Sequence, residues 1–289
     1  MGIQAILVPI DGSKESFAAL GRVFIIAERF GAHIKALHIM TRASDVSSAG
    51  FYNLPVNLRK SAEDNADIGA TERAAELQQQ FEALCADRNV PISNQPTSKG
   101  GATAAWHQEF GDVDELLIRH GRASDVIVVT KPRVREGTVR RSPLGESIEA
   151  ILLKTGRPVL ITPPECVAKR YERGAIGWND SIECTRALAM TMPWLVEMKE
   201  ITLLVSQERM ASANVLCEYL AWHDVKTKIA LLDGRGKQAG ESMLRACSKV
   251  GAEFLVVGGF SRSRASQLLF GGATDYLLKH ANIVTVMVH

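Results

Sequence analysis

The sequence predicts an α/β protein of two tandem domains, each an open five-stranded parallel sheet with helices on both faces. Short apolar runs alternate with helical stretches, polar turns follow the runs, and the whole series of signals occurs twice. Continuous apolar runs are typical of parallel strands buried on both faces. Strands that alternate with helices favour parallel sheets with right-handed crossovers, a Rossmann-like arrangement. The chain has 289 residues, which suffices for two domains of about 100–200 residues each.

The first half opens with an apolar run at residues 5–10. The turn Asp11-Gly12-Ser13 follows, and Ser13 is a suitable N-cap for a helix over residues 14–30. A second strand is predicted at 34–40. The half closes with a strand at 125–130, then a helix and a last strand over 147–161.

The second half repeats these signals. A strand at 174–178 leads into the turn Asn179-Asp180-Ser181 and a helix to about residue 196. Residues 201–205 predict the next strand, and residues 253–258 match 125–130. Residues 274–288 match 147–161 without a gap. The predicted domains are therefore 1–165 and 170–289, joined by a linker at 163–170.

The first half is longer between its second and third strands. Residues 41–60 are rich in Ser, Gly, Asn and Pro and predict a long loop, whereas 61–89 are rich in Ala, Glu and Gln and predict an extended helix. The sequence leaves open whether this insertion, about 41–89, is functional or a surface excursion.

Composition limits the functional classes. The net charge is +2, with 46% hydrophobic and 23% charged residues, so no global property favours nucleic acid or an acidic membrane as a partner. The five cysteines are scattered, which is typical of reduced thiols. No apolar run approaches the roughly 18–20 residues that span a bilayer, and Pro9 and Asp11 interrupt the first apolar stretch too early for a signal peptide. We expect a cytoplasmic protein.

A strand, a polar loop and a helix follow one another near residue 258. Gly258 ends the strand, and Gly271 and Gly272 open the helix together with Ala273 and Thr274. Glycines allow a ligand close to the backbone, and a helix N-terminus attracts anions through its unpaired N–H groups and its dipole. An anion site and an ordinary glycine-rich connection are both consistent with this pattern.

The same residues resemble the universal stress protein family. Its motif is Gly, two residues, Gly, nine residues, then Gly followed by Ser or Thr. Gly258 and Gly271 occupy the first and third motif positions, whereas Ser261 and Gly272 replace the glycine at the second and the hydroxyl residue at the fourth. The duplication and the element order extend the resemblance over nearly the whole chain, with residues 41–60 as its weakest part.

The resemblance implies that the second half binds ATP, AMP or ADP, with or without Mg²⁺, as a stress-response regulator. In the family, an Asp at the end of the first strand contacts adenine and the glycine loop holds ribose and phosphates. The first half keeps that Asp as Asp11 but has Thr130 for the leading glycine, so its site is degenerate. The implied second-half site consists of Asn179, Val205, Val257, Gly258, Ser261, Arg262, Gly271, Gly272, Ala273 and Thr274.

Other motifs of nucleotide and metal chemistry do not occur in the sequence. There is no G-x-x-x-x-G-K-[ST] and no H-E-x-x-H, so we predict no catalytic or metal residues and at most slow ATP hydrolysis. The basic segment 131–141 is either an anion clamp or a solvated loop. Two alternatives remain: an interaction protein that acts through unknown protein partners without nucleotide, and an enzyme acting on a phosphorylated metabolite. The two halves can pair within one chain, or chains can form a homodimer.

Overall fold

The computed structural model describes residues 2–42, 56–95, 100–131, 143–164, 170–233, 237–259 and 272–289. In the first half it has, in order, β1 (Ala5–Pro9), α1 (Lys14–Phe30), β2 (His33–Met40), α2 (Val56–Asp87), β3 (Thr103–Phe110), α3 (Val113–Arg122), β4 (Val126–Thr130), α4 (Pro143–Thr155) and β5 (Val159–Thr162). In the second half it has β6 (Arg173–Trp178), α5 (Ile182–Leu195), β7 (Glu200–Val205), a 3₁₀ turn (Gln207–Arg209), α6 (Met210–Ala221), β8 (Thr227–Leu231), α7 (Lys237–Val250), β9 (Phe254–Gly258), α8 (Gly272–His280) and β10 (Val284–Val288). The predicted alternation of strands and helices is confirmed.

The N-terminal helix of each half begins where its cap predicts. The Ser13 hydroxyl accepts a hydrogen bond from the backbone N–H of Ser16 at 3.1 Å. The Ser181 hydroxyl accepts one from the N–H of Cys184 at 3.2 Å. Each bond satisfies one of the amide groups that a helix start leaves unpaired. Helix α1 ends at Gly31, whose φ of 64° suits a residue without a Cβ.

The ten strands form one continuous sheet in the order β3-β2-β1-β4-β5-β10-β9-β6-β7-β8. Each half is a parallel five-stranded sheet, as predicted, and the two halves have the same internal strand order. The halves join through β5 and β10, which pair antiparallel at Ile161 with Thr285, Leu160 with Val286 and Val159 with Met287. The pairing between the halves is therefore intramolecular.

Helices cover both faces of this sheet. The hydrophobic core on one face contains side chains from α1, α2, α5 and α6. The core on the other face contains side chains from α3, α4, α7 and α8. Cys85, Cys184 and Cys247 are free thiols buried in these cores. Within the described ranges, none of the helices is long and apolar enough to cross a membrane.

The first of these cores runs across the seam between the halves. The Phe30 ring on α1 meets the Trp194 ring on α5 edge-on, with centroids 6.0 Å apart. Trp194 also lies 6.0 Å from the Phe254 ring on β9. An ion pair between Arg29 and Glu197 lies beside these rings. Side chains on α1 and α5 therefore add to the strand pairing that joins the halves.

Helix α2 differs most from its counterpart in the second half. It has 32 residues, whereas α6 has 12, and at about 1.5 Å per residue its length is about 48 Å. The predicted helix is confirmed, but it begins at Val56, five residues before the expected residue 61. Its buried side chains, Ala74, Phe81 and Cys85, lie in its second part. The rest of the predicted 41–60 loop falls largely outside the described residues.

Ionisable side chains cluster between the outer strands of the first half and α3. Lys35 Nζ lies 2.7 Å from Nδ1 of His120, whose Nε2 is 2.7 Å from the Glu109 carboxylate. Burial lowers the pKa of His33 and of His107, and the Lys35 charge lowers both further. The structure thus favours the neutral form of these two imidazoles.

We predict that Trp194→Ala destabilises the folded protein by about 3–5 kcal/mol, because it removes a buried indole and leaves a cavity against Phe30 and Phe254. Equilibrium urea unfolding measures this change. Trp222→Ala is the matched control, since the Trp222 side chain is 88% exposed and its removal should stay within about 0.5 kcal/mol. Equal effects of the two substitutions would contradict the cross-half packing.

We also predict that the free energy of unfolding decreases as pH falls below about 6.5, the ordinary imidazole value. His33 and His107 have lowered pKa values in the folded state, so the unfolded chain binds more protons in this range. The loss of stability stops once the pH is below the folded-state pKa values of both histidines. Urea unfolding at pH 7.5 and 5.5 should show a smaller difference in unfolding free energy for His107→Gln than for the wild type, and equal differences would contradict this prediction.

Candidate functional site

The candidate site lies at the carboxyl ends of β9, β6 and β7. These strands are adjacent in the sheet and end at Gly258, Trp178 and Val205. The chain leaving β6 enters α5 on one face of the sheet, whereas the chain leaving β9 reaches α8 on the other face. Connections that diverge in this way open a crevice between the two strand ends, and ligands of open parallel sheets bind in such crevices.

The turn after β6 fixes the side chain of Asn179. Its Oδ1 accepts a hydrogen bond from the N–H of Ser181 at 3.2 Å. The turn after β1 is built in the same way, since Oδ1 of Asp11 accepts from the N–H of Ser13 at 2.9 Å and from its hydroxyl at 2.5 Å. The predicted equivalence of the two turns is thus reproduced in their hydrogen bonds.

The middle residue of each turn has a left-handed backbone. Gly12 has a φ of 82°, and Asp180 has a φ of 61°. Asp is one of the few residues with a side chain that tolerate this region. The Asp180 carboxylate lies 3.6 Å from Nη1 of Arg209 in the turn after β7, and both side chains are about half exposed. Neither residue was predicted as a site residue, because only the folded sheet brings the two turns together.

The glycine at the end of β9 is required by packing. A Cβ on Gly258 would lie 2.6 Å from the backbone N of Cys184 and 2.9 Å from Cβ of Glu183, in the first turn of α5. The equivalent residue of the first half is Thr130, whose hydroxyl donates a hydrogen bond to the Glu15 carbonyl in the first turn of α1 at 2.8 Å. The helix thus approaches the strand end more closely in the second half.

Cys184 lies beneath this contact and was not predicted as a site residue. Its thiol is buried and donates to the Gly177 carbonyl at 3.2 Å. Burial raises the pKa of this thiol, although the backbone of Asn179 and of Gly258 opposes the shift. The protonated thiol is therefore a packing group that connects the ends of β6 and β9.

The start of α8 is held against α7. A Cβ on Gly240 of α7 would lie 2.9 Å from the Ala273 carbonyl in the first turn of α8. Thr274 is 7% exposed. Gly272, Ala273 and Thr274 thus begin a helix as predicted. Ser261, Arg262 and Gly271 lie outside the described residues, as does the basic segment from residue 132 to 141.

Two other predicted residues, Val205 and Val257, lie in the last part of β7 and of β9. The Val205 carbonyl accepts a hydrogen bond from the N–H of Leu232 at 2.8 Å, so a ligand would share this acceptor with the sheet. The Val257 side chain is buried in the core beside α7 and α8. The structure therefore brings Asn179, Val205 and Gly258 to neighbouring strand ends.

The corresponding edge of the first half is overlain by α2. Leu77 lies against the turn after β1, 3.3 Å from where a Cβ of Gly12 would be. The His38 ring bonds to the Ile10 carbonyl at 2.7 Å, and Thr130 lies 3.2 Å from the Thr162 hydroxyl. The two residues of the predicted degenerate site, Asp11 and Thr130, thus lie at a sheet edge where side chains of α2 and of the neighbouring strands make contacts.

The described part of the chain contains no group of three or more His, Cys, Asp or Glu side chains that could hold a metal ion. Two described carboxylates near these strand ends lie close to cations, whereas Glu183 lies beside Gly258 in the first turn of α5. Asp180 lies near Arg209, and Asp275 in the first turn of α8 accepts a hydrogen bond from Lys279 at 2.9 Å.

The sequence matches the family model "Universal stress protein family" over residues 2–163 and 185–289. No curated protein sequence matches the chain. A crystal structure of a universal stress protein from Archaeoglobus fulgidus DSM 4304 is similar at a TM-score of 0.72 and 15% identity, covering 98% of this chain and 95% of that protein.

A functionally unknown protein from Pseudomonas aeruginosa PAO1 is similar at a TM-score of 0.56 and 15% identity, covering 99% of this chain and 92% of its own. A universal stress protein solved in complex with cAMP covers 57% of this chain at 18% identity, with a TM-score of 0.35. At these identities, the first two structures establish the shared fold.

We predict that Gly258→Ala destabilises the protein by about 1–3 kcal/mol, because the added methyl group forces β9 and α5 apart. Thermal and urea unfolding measure the change. Gly259→Ala is the matched control, since a Cβ there has its nearest contact at 3.6 Å. If Gly258→Ala and Gly259→Ala changed the stability equally, packing against α5 would not explain the glycine at position 258.

Proposed function

The chain belongs to the universal stress protein family, and on that basis we propose that its C-terminal half binds an adenine nucleotide. The observation that carries this proposal is that the connections after the adjacent strands β9 and β6 lead to helices on opposite faces of the sheet. The N-terminus of α8 follows one strand and the Asn179 turn follows the other. A helix N-terminus suits phosphate, and an amide side chain suits the edge of a base.

Each part of the nucleotide has proposed partners. Phosphate and ribose would contact the backbone at the end of β9 and the start of α8, and the base would contact Asn179 and the backbone near Val205. Mg²⁺ would be bound through the nucleotide phosphates. The proposed phosphate and ribose residues are Gly258, Ser261, Arg262, Gly271, Gly272, Ala273 and Thr274.

Differences between the halves support a single site. Leu77 of α2 packs on the turn after β1, whereas the helix at the α2 position of the second half has only 12 residues. Thr130 also fixes its hydroxyl on α1. The first half would then serve as the structural partner of the nucleotide-binding half.

Catalysis would be slow or absent. The sequence has no P-loop motif G-x-x-x-x-G-K-[ST] and no H-E-x-x-H motif. We therefore propose a nucleotide-dependent regulator of the stress response in the cytoplasm rather than an ATPase.

An interaction protein that binds no nucleotide is the second candidate, and one surface favours it. Val215, Tyr219 and Trp222 project from α6 and its end at helical spacing, with exposures of 65%, 44% and 88%. Exposed apolar side chains in a row are typical of surfaces that contact other proteins. The departures from the family motif at Ser261 and Gly272 also favour a protein that binds no nucleotide.

We predict that Ala273→Glu weakens ATP binding at least tenfold, because it sets a negative charge beside the phosphates. The same carboxylate is favourable in the first turn of a helix by about 0.3–1 kcal/mol, so the fold should be retained. Isothermal titration with ATP and Mg²⁺ gives the affinity, and Ala273→Gln is the matched control that should stay within about threefold.

Two results would overturn the proposal. One is wild-type protein that purifies without nucleotide and shows no heat of binding and no thermal shift with millimolar ATP. The other is equal ATP affinity of the folded Ala273→Glu and Ala273→Gln variants. The first result would favour the interaction candidate.

A further inference from the structure

A pocket of about 380 Å³ lies at the seam between the halves, on the face of the sheet that α1 and α5 cover. Helix α1 contributes Ile25, Ile26 and Arg29, the segment before β6 contributes Tyr171, and α5 contributes Trp194. Ligand pockets typically have volumes of about 300–1,000 Å³ and are mostly apolar with a few polar groups. Because both halves line this pocket, it exists only in the joined chain.

The seam pocket is separate from the proposed nucleotide site. Trp194 is in the last turn of α5, whereas Glu183, which lies beside Gly258, is in the first turn. At 1.5 Å per residue, about 16 Å of helix separates the two side chains. A ligand in the seam pocket is therefore independent of nucleotide binding at the strand ends.

The indole N–H groups of the four Trp side chains differ in their hydrogen bonding. Those of Trp106 and Trp178 each donate to a side-chain oxygen at 3.1 Å. Trp222 is 88% exposed and its N–H meets water. Trp194 is 2% exposed, yet its N–H has no acceptor among the residues that the structure describes.

The indole nitrogen of Trp194 is accessible from the seam pocket. Within the described ranges, the one sealed side-chain polar atom without a hydrogen bond is Nη2 of Arg29, which forms an ion pair with Glu197. The Trp194 nitrogen is thus not sealed, and the small surface that Trp194 leaves exposed lines the pocket. A buried N–H without a partner is unfavourable, so a ligand acceptor in the pocket would stabilise it.

Two guanidinium groups also line the seam pocket. Arg29 and Arg170 both contact the same carboxylate oxygen of Glu197. A guanidinium has five N–H donors and no acceptor, so one oxygen cannot satisfy both groups. Glu28 lines the pocket as well, but it is exposed to water. Donors therefore dominate the polar part of the pocket, and they lie beside its apolar side chains.

We propose that the seam pocket binds a small amphipathic carboxylate, a molecule with one carboxylate group and a hydrocarbon body. The carboxylate accepts a hydrogen bond from the Trp194 N–H, and the charges of Arg29 and Arg170 favour it over an uncharged acceptor. The hydrocarbon body packs against Ile25 and Ile26, which removes apolar surface from water.

The test uses octanoate as the probe and 1-octanol as its uncharged counterpart of equal chain length. In a ¹H–¹⁵N spectrum each of the 4 Trp residues gives one indole cross-peak, and Trp194→Phe identifies the Trp194 signal by its loss. We expect octanoate to shift this signal saturably and to leave the Trp222 signal in place. 1-Octanol should bind about tenfold more weakly or worse, because it carries no charge.

Two variants test the pocket by isothermal titration with octanoate. Trp194→Phe keeps a buried ring but removes the donor, and should weaken binding about tenfold or more. Ile25→Trp fills the pocket without changing Trp194 and should abolish binding. Trp106→Phe is the matched control, since the Trp106 N–H is paired elsewhere and the affinity should stay within about twofold. Thermal unfolding checks the fold of each variant.

Three results would overturn the proposal. The first is a Trp194 signal that does not move at any octanoate concentration. The second is octanoate affinity that is unchanged in folded Ile25→Trp, which would place the probe elsewhere on the protein. The third is equal affinity for octanoate and 1-octanol, which would rule out a site selective for carboxylates.

Discussion

The antiparallel pairing of β5 with β10 is the constraint on which the rest of the structure depends. It converts two parallel sheets into one ten-stranded sheet and leaves β3 and β8 at its ends. Because the two halves run in opposite directions, their carboxyl edges lie on opposite sides of the molecule. The hydrogen bond from Lys131, after β4, to the Ala281 carbonyl, before β10, fits this arrangement. Residues at the carboxyl edge of one half therefore cannot take part in a site at the carboxyl edge of the other half.

The two halves differ from each other at three structurally equivalent places. The strand end next to the first helix is Thr130 in one half and Gly258 in the other, and each residue fits the distance at which its helix packs. The turn residue is Asp11 or Asn179. The connection to the third strand contains a helix of 32 or 12 residues. Each difference lies at the carboxyl edge of its half, whereas the order of the strands is the same in both halves.

Local signals predicted most of the fold. Ser13 and Ser181 mark helix starts because their hydroxyls satisfy nearby amides, and this needs no tertiary information. The antiparallel seam could not be predicted, since β5 and β10 are apolar runs like the other buried strands. The reason for Gly258 lies in α5, and the orientation of the Asn179 amide depends on Ser181. Pattern matching to the family identified the positions of the candidate site but not these contacts.

The seam has a consequence for how such a protein changes over evolutionary time. In a homodimer built on the same strand pairing, one gene encodes both partners, so every substitution appears twice and a damaged crevice is damaged in both copies. Here the partners are covalently linked and encoded separately along one chain. One half can accept a long helix over its edge while the other keeps a short one, and the pairing between them does not depend on protein concentration.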